Sequence, residues 1–275
     1  QIQHPKMQLT KYKIHLHVEQ RTKEWLALRA GKVTGSEVYN YINFTTEKDI
    51  KEMQKKTTFF DSLTNLQTGV IPKKPNKYKL ASKTVLDRLC LRLCEERRIG
   101  KPLSVHLPKA QTKDMAKGSY YEDFAKDWYI NTKQNEYAGY RDVAFVENAD
   151  GTMGCSPDYV DYGFHSKGGK IISGVEMKCP QSENSYLDML QCENADMLRH
   201  TKFEWYCQTQ FNMYICELNK WDFLSYMPQC ELINVLFEVP KDDDMFEIFD
   251  MLHSYIKENA VQDKHIELCN RQNKY

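Results

Sequence analysis

Long apolar runs are missing from these 275 residues. No segment reaches the roughly 20 residues that a membrane-spanning helix needs, and the amino end shows no apolar stretch of a secretory signal. A net charge of one sign is absent too, because 38 Lys+Arg balance 38 Asp+Glu. That excludes recognition of a partner by overall charge alone. No internal repeat or low-complexity block recurs, which excludes solenoids and tails. The nine cysteines are odd in number and scattered through a chain far longer than a disulfide-stapled mini-domain. Only Cys90 and Cys94 lie close, on one helix face, and no CxxC or histidine follows at zinc spacing. Reduced, buried thiols are expected, and with them an intracellular reducing compartment, cytosol or nucleus.

The composition that remains, 41% hydrophobic and 28% charged, is that of a globular chain able to bury one large core. Residues 1–275 read as a single domain. The zero net charge conceals an asymmetry. Residues 1–120 hold 24 Lys+Arg against 11 Asp+Glu, a balance of +13, and residues 121–275 hold 14 against 27, a balance of −13. Such halves either attract each other or place a phosphate-tracking surface beside a carboxylate-rich metal site.

Periodicity orders the chain. Residues 19–42 predict a helix on Trp25, Leu26 and Leu28 that stops near Gly31, then a second opening at Ser36. Residues 44–80 are polar and basic, broken by Pro72 and Pro75, and read as an exposed insertion or mobile loop. Helices follow at 81–100 and 116–132. The period then falls to two: "YRDVAFVEN", "TMGCSPDYVDYG" and "KIISGVEMK" predict three strands joined by turns. Helical patterns return at "NSYLDMLQCENADMLRHT" and "FEWYCQTQFNMYICEL", two more strands at "WDFLSYM" and "INVLFEV", and a last helix at about 245–268. Helices around a central sheet make an α/β or α+β fold.

The chemistry concentrates in "GCSPDYVDYGFHSKGGKIISGVEMKCP", residues 154–180. Alternation along "KIISGVEMK" sets Ile172, Gly174, Glu176 and Lys178 on one face and Ile171, Ser173, Val175 and Met177 on the other. A hairpin brings Asp158 to the same end. Two converging carboxylates form a hard-oxygen site for Mg²⁺, with Mn²⁺ as substitute. Such an ion activates water toward a phosphodiester, and the Lys178 ammonium can hold that water or balance charge at phosphorus. An acid-x-Lys triplet alone recurs by chance several times in such a chain. The plain alternative is a solvated hairpin face with a weak surface Glu–Lys pair.

The order PD, spacer, ExK resembles the core signature of the PD-(D/E)xK nucleases. "EQRTKEWLALRAGKVTGSEV", "AKGSYYEDFAKDWY", "CSPDYVD", "VEMKCP" and "WYCQTQFNMYI" stand in this order from about residue 19 to 216. Together they resemble the YqaJ-like viral recombinase family, to which phage lambda exonuclease belongs. The resemblance implies a restriction-endonuclease-like α/β core with a central mixed sheet flanked by helices. It also implies a metal-dependent 5′→3′ exonuclease acting on double-stranded DNA ends with a 5′ phosphate. Asp158 and Glu176 then match metal ligands, the Met177 main-chain carbonyl a further ligand, and Lys178 the catalytic lysine. Glu122 matches the helix glutamate that completes the acidic cluster. Gln208 matches a glutamine beside the nucleophile, with Gln210 the lesser choice. Arg29 and Ser36 match a grip on a DNA phosphate, and a guanidinium fork with a hydroxyl at a helix start is a sound anion site on physical grounds. A ring-shaped homotrimer, a single-strand annealing partner and a viral or mobile-element origin are further implications.

Trp25 reads as core rather than as a stacking platform, and "KDDD" at 241–244 as a solvated turn or helix start rather than a metal site. Two rivals remain open. One is an endonuclease or structure-specific nuclease on the same fold, and the other is a non-catalytic DNA-end-binding protein whose carboxylates hold a structural ion.

Overall fold

The computed structural model describes residues 12–48, 76–103, 113–133, 140–163, 170–227 and 234–260. Among them a five-stranded mixed sheet takes the order β11 (Val235–Pro240), β10 (Lys220–Ser225), β9 (Lys170–Lys178), β8 (Tyr159–Gly163), β5 (Tyr140–Arg141). Within this sheet only β9 and β10 run parallel. A parallel pair needs a long crossover, supplied by α4 (Glu183–Leu190), α5 (Ala195–Thr201) and α6 (Phe203–Cys216). A second sheet of four strands has the order β1 (Tyr12–His15), β6 (Phe145–Asn148), β7 (Met153–Cys155), β2 (Val33–Thr34). A two-stranded ribbon pairs β3 (Ile42–Phe44) with β4 (Tyr78–Leu80).

The central sheet is covered on both faces. On one, Ile171, Trp221, Phe223 and Val239 pack with Phe211 of α6 and with Ile248, Phe249 and Leu252 of the last helix (Asp243–Asn259). On the other, Val175, Met177 and Leu224 meet Ala125 and Tyr129 of the helix Lys113–Thr132. In chain order the remaining helices are α1 (Lys23–Arg29), α2 (Lys83–Ile99) and α3 (Lys113–Thr132), and the last is α7.

Several expectations change. "YRDVAFVEN" divides into β5 and β6, and "TMGCSPDYVDYG" into β7 and β8, each half in a different sheet. Pro157 explains the second break: it has no N–H for a ladder, so the chain leaves one sheet at Cys155 and enters the other at Tyr159. Asp161 pairs with Ser173 but Tyr162 with Ile171, which leaves Ile172 as a bulge, 52% exposed. One extra residue reverses the alternation. Ile171 therefore joins the α6 side, opposite Val175 and Met177.

The helix expected from Ser36 is a 3₁₀ turn, Val38–Tyr41, with Glu37 rather than Ser36 at its N-cap. α3 begins at Lys113, with Gly118 inside it. "NSYLDMLQCENADMLRHT" becomes two helices, divided where Asn194 caps α5. The rims of the 44–80 insertion form part of the β3–β4 ribbon, and residues 49–75 lie outside the described residues, as do 164–169 and 261–268. α7 starts at Asp243 with Asp242 as N-cap, so of the two readings of "KDDD" the helix start holds. The seven described cysteines are free thiols, six of them buried; Cys230 and Cys269 lie outside the described residues. No helix among the described residues is long and apolar enough to cross a membrane.

Gly174 is fixed by packing. An ideal Cβ there would lie 2.3 Å from two atoms of the buried Trp221 ring. Gly174→Ala should lower the unfolding free energy by about 1–3 kcal/mol through overpacking, read from urea denaturation. An unchanged midpoint would mean that the ring does not press on this backbone.

Candidate active site

The site begins where β9 ends. Glu176 is fully buried on the α6 side. Its Oε1 accepts from Lys178 Nζ at 2.5 Å and its Oε2 from Asn212 Nδ2 at 2.7 Å. Lys178 also donates to Gln208 Oε1 at 3.1 Å. Asp158, half-buried just before β8, accepts the Met177 amide proton on Oδ2 at 2.7 Å, and its carboxyl lies beside that of Glu176. The structure thus brings Asp158, Glu176, Lys178, the Met177 main chain and Gln208 together.

Burial, and then the Asp158 charge, push the Glu176 carboxyl up to about 8. Removal from water raises Asp158 as well. Burial alone would lower Lys178, but the charges of Glu176 and Asp158 outweigh it and hold the ammonium above its usual value.

Arg29 and Ser36 form a second cluster. Arg29 Nη2 donates to Ser36 Oγ and to Thr34 Oγ1, both at 3.1 Å, and its guanidinium stacks 4.4 Å from the Trp25 ring centre. Desolvation lowers the Arg29 pKa below the usual arginine value, so its charge is poorly solvated and suited to an anion. Trp25 is half-buried, not core: its Nε1 donates to the Ala144 carbonyl and to Ser156 Oγ. The connecting loop is tied down by α2. Buried Glu96 accepts from the Gly31 amide at 3.0 Å, and Arg97 Nε donates to the Gly31 carbonyl at 3.1 Å. Gly35 then lies against α6, where an ideal Cβ would sit 3.2 Å from Asn212 Oδ1 and 3.5 Å from Gln208 Cγ. The loop that carries Ser36 and the Glu176–Lys178 pair therefore both abut the face of α6 that bears Gln208 and Asn212.

Glu122 lines a cavity of about 400 Å³ together with Asp158, Met177, Lys126 and Arg21. Its carboxylate is held by Arg21 Nη2 at 2.8 and 3.0 Å. Burial first, then Asp158, raise its pKa in spite of Arg21. Among the described residues no three His, Cys, Asp or Glu side chains are gathered closely enough to hold an ion, and Glu122 is bonded to Arg21.

The donor set nevertheless fits a hard divalent cation. Two carboxyls side by side, one wholly buried, cannot both ionise unless a cation neutralises them, and otherwise they retain a proton. Magnesium commonly takes one or two carboxylates and completes its shell with water and phosphate oxygens. Asp158, Glu176 and the Met177 carbonyl could hold it, with Glu122 across the cavity.

Asn212 and Arg21 were not anticipated. Asn212 stands four residues after Gln208, on the same helix face, and that spacing was the available signal. Gln210 is structural: it donates to the Pro240 carbonyl at 2.8 Å and accepts from the Asp242 amide at 3.0 Å.

The model of the YqaJ-like viral recombinase domain matches residues 24–219. No curated protein matches the chain. A phage-related exonuclease from Haemophilus somnus 129PT superposes with a TM-score of 0.50 at 15% identity, over 88% of this chain and 96% of that one. The alkaline exonuclease LHK-Exo from Laribacter hongkongensis gives a TM-score of 0.49 at 18% identity, over 92% and 99%. At such identity the first likeness speaks to the restriction-endonuclease-like fold alone.

Relieving the acid pair should stabilise the protein in EDTA. Asp158→Asn keeps an acceptor for the Met177 amide and removes one charge, so the unfolding free energy should rise by roughly 1 kcal/mol. Urea midpoints of both proteins in EDTA test this. A lower midpoint for the variant would refute the repulsion.

Proposed function

The chain belongs to the YqaJ-like viral recombinase family, and on that premise we propose that it is a divalent-metal-dependent exonuclease digesting linear double-stranded DNA from 5′-phosphorylated ends. One observation carries the reading: Asp158 beside buried Glu176, with Lys178 and Gln208 hydrogen-bonded in series from the same acid. A solvated surface pair would not be buried this way. Asp158, Glu176 and the Met177 carbonyl would hold Mg²⁺ or Mn²⁺, with Glu122 completing the acidic wall. When bound, the ion supplies Lewis acidity toward the phosphodiester and charge for the leaving 3′ oxygen.

The chain's own groups do the rest. Lys178, held as an ammonium, orients the attacking water and balances charge at phosphorus, and Gln208 fixes that ammonium from the other side. Asn212 holds Glu176 in one rotamer. Arg29 and Ser36 bind the 5′-terminal phosphate and so favour ends over interior duplex. Gly35, lying against Gln208 and Asn212, sets the register between that phosphate and the bond to be cut.

Three substrates test this: a 5′-phosphorylated linear duplex, its unphosphorylated twin and a closed circle, each with Mg²⁺ or EDTA. Loss of the phosphorylated linear DNA, with Mg²⁺ only, is expected. A cut circle would make the protein an endonuclease, and intact substrates throughout would leave an end-binding protein. Lys178→Ala should keep its circular dichroism and DNA binding yet lose about 100-fold or more in rate, and retained activity would reject the lysine's role. Arg29→Gln should bring the rates on the two linear duplexes together, whereas a preserved preference would place phosphate recognition elsewhere.

A further inference from the structure

Arg21 has a backbone that its side chain disfavours. Its φ is 72°, a left-handed value shared among the described non-glycine residues only by Glu217, which ends α6. A long side chain is costly in that conformation. The neighbours impose it. Gln20 Nε2 donates to the Val143 carbonyl at 3.1 Å and the Pro157 carbonyl at 3.5 Å, and Thr22 caps α1. Residue 21 is clamped between the segment that carries Asp158 and the helix that carries Arg29.

That clamp sends the guanidinium across the cavity to Glu122, where one nitrogen serves both carboxylate oxygens. The pair lacks the two-nitrogen fork of a strong Arg–carboxylate contact. With side chains 55% and 40% exposed, it is also the kind of pair that water and salt weaken. It does not offset the strain that delivers it. The other cation on the cavity wall, Lys126, is engaged by Asp142 at 2.7 Å. Arg21 is therefore the loosely held positive charge at the entrance to the acids, and the backbone aims it there.

Building on the nuclease reading, we propose that Arg21 is a DNA-phosphate-binding residue that stands on Glu122 until a divalent ion takes that carboxylate. Ion and guanidinium compete for Glu122. The ion's arrival releases Arg21 to a backbone phosphate of the strand entering the cavity, so metal loading and strand engagement favour each other. Arg29 reads the terminal phosphate and Arg21 an internal one, so loss of Arg21 should weaken phosphorylated and unphosphorylated ends alike.

The test uses Arg21→Gln, which removes the charge, and Arg21→Gly, which also relieves the backbone and so guards against misfolding. Mn²⁺ binding is measured by calorimetry without DNA, and duplex binding by fluorescence anisotropy in Ca²⁺. Both variants should bind Mn²⁺ more tightly, by about tenfold, and duplex more weakly by a similar factor, with a salt slope shallower by about one. Arg21→Lys should restore duplex binding. A merely structural residue would weaken both ligands or neither. Unchanged or weaker Mn²⁺ binding, or unchanged duplex binding, in a folded variant overturns the proposal while wild-type cleavage leaves the nuclease reading intact. A wild-type protein that binds no Mn²⁺ and cuts no linear duplex overturns both.

Discussion

One hydrogen bond organises this molecule: the Asp158 carboxylate accepts the Met177 amide proton. The β8–β9 ladder runs out at Tyr159 and Val175, and the next rung is made by a side chain instead of a main chain. That substitution draws Asp158 onto the end of β9, beside Glu176, at the point where the chain passes from one sheet to the other. Pro157 makes the passage and Ser156, bonded to Trp25, secures it. Sheets, crossover helices and the loop pinned by α2 can all be understood as the scaffold that holds this rung in place.

The arrangement opposes stability. Removal from water raises both carboxyls, the Asp158 charge raises Glu176 further, and Lys178 and Asn212 compensate only in part. Asn212 itself leaves its Oδ1 buried without a partner, a cost usually avoided in a core. Arg21 adds backbone strain at the cavity mouth. Unfavourable features of three different kinds within one small region are expected where a site, and not the fold, dictates the residues.

The sequence was legible where one period governed a whole element. "KIISGVEMK" is β9 from end to end, and residues 81–100 contain α2, stopped by Gly100 at φ 71°. It was illegible where a single residue changed the outcome. The bulge at Ile172 reverses one end of a strand without any mark in the hydrophobic pattern, and the split at Pro157 looked like one strand because both halves are apolar. The site divides in the same way. Asp158, Glu176 and Lys178 could be read from strand alternation and a turn, whereas Asn212 needed the contact between α6 and β9. Arg21 needed a φ value, which no residue type announces.

The charge asymmetry along the chain now has a physical location. The basic half contributes Arg21, Arg29 and the Arg97 that braces Gly31. The acidic half contributes Glu122, Asp158 and Glu176. The balances of +13 and −13 thus supply both pairs between the halves and the charged groups of the site. Away from the cavity the halves do pair, Lys32 with Glu147 at 3.2 Å and Lys77 with Asp242 at 3.6 Å, whereas at the site Arg21 meets Glu122 through one exposed nitrogen and Arg29 reaches Ser156 only at 3.5 Å. Strong pairing at the site itself would have left nothing there for a phosphate or an ion to displace. A site that is to take a polyanion and a divalent cation together has to keep its own opposite charges adjacent and incompletely satisfied, and the local geometry meets that condition.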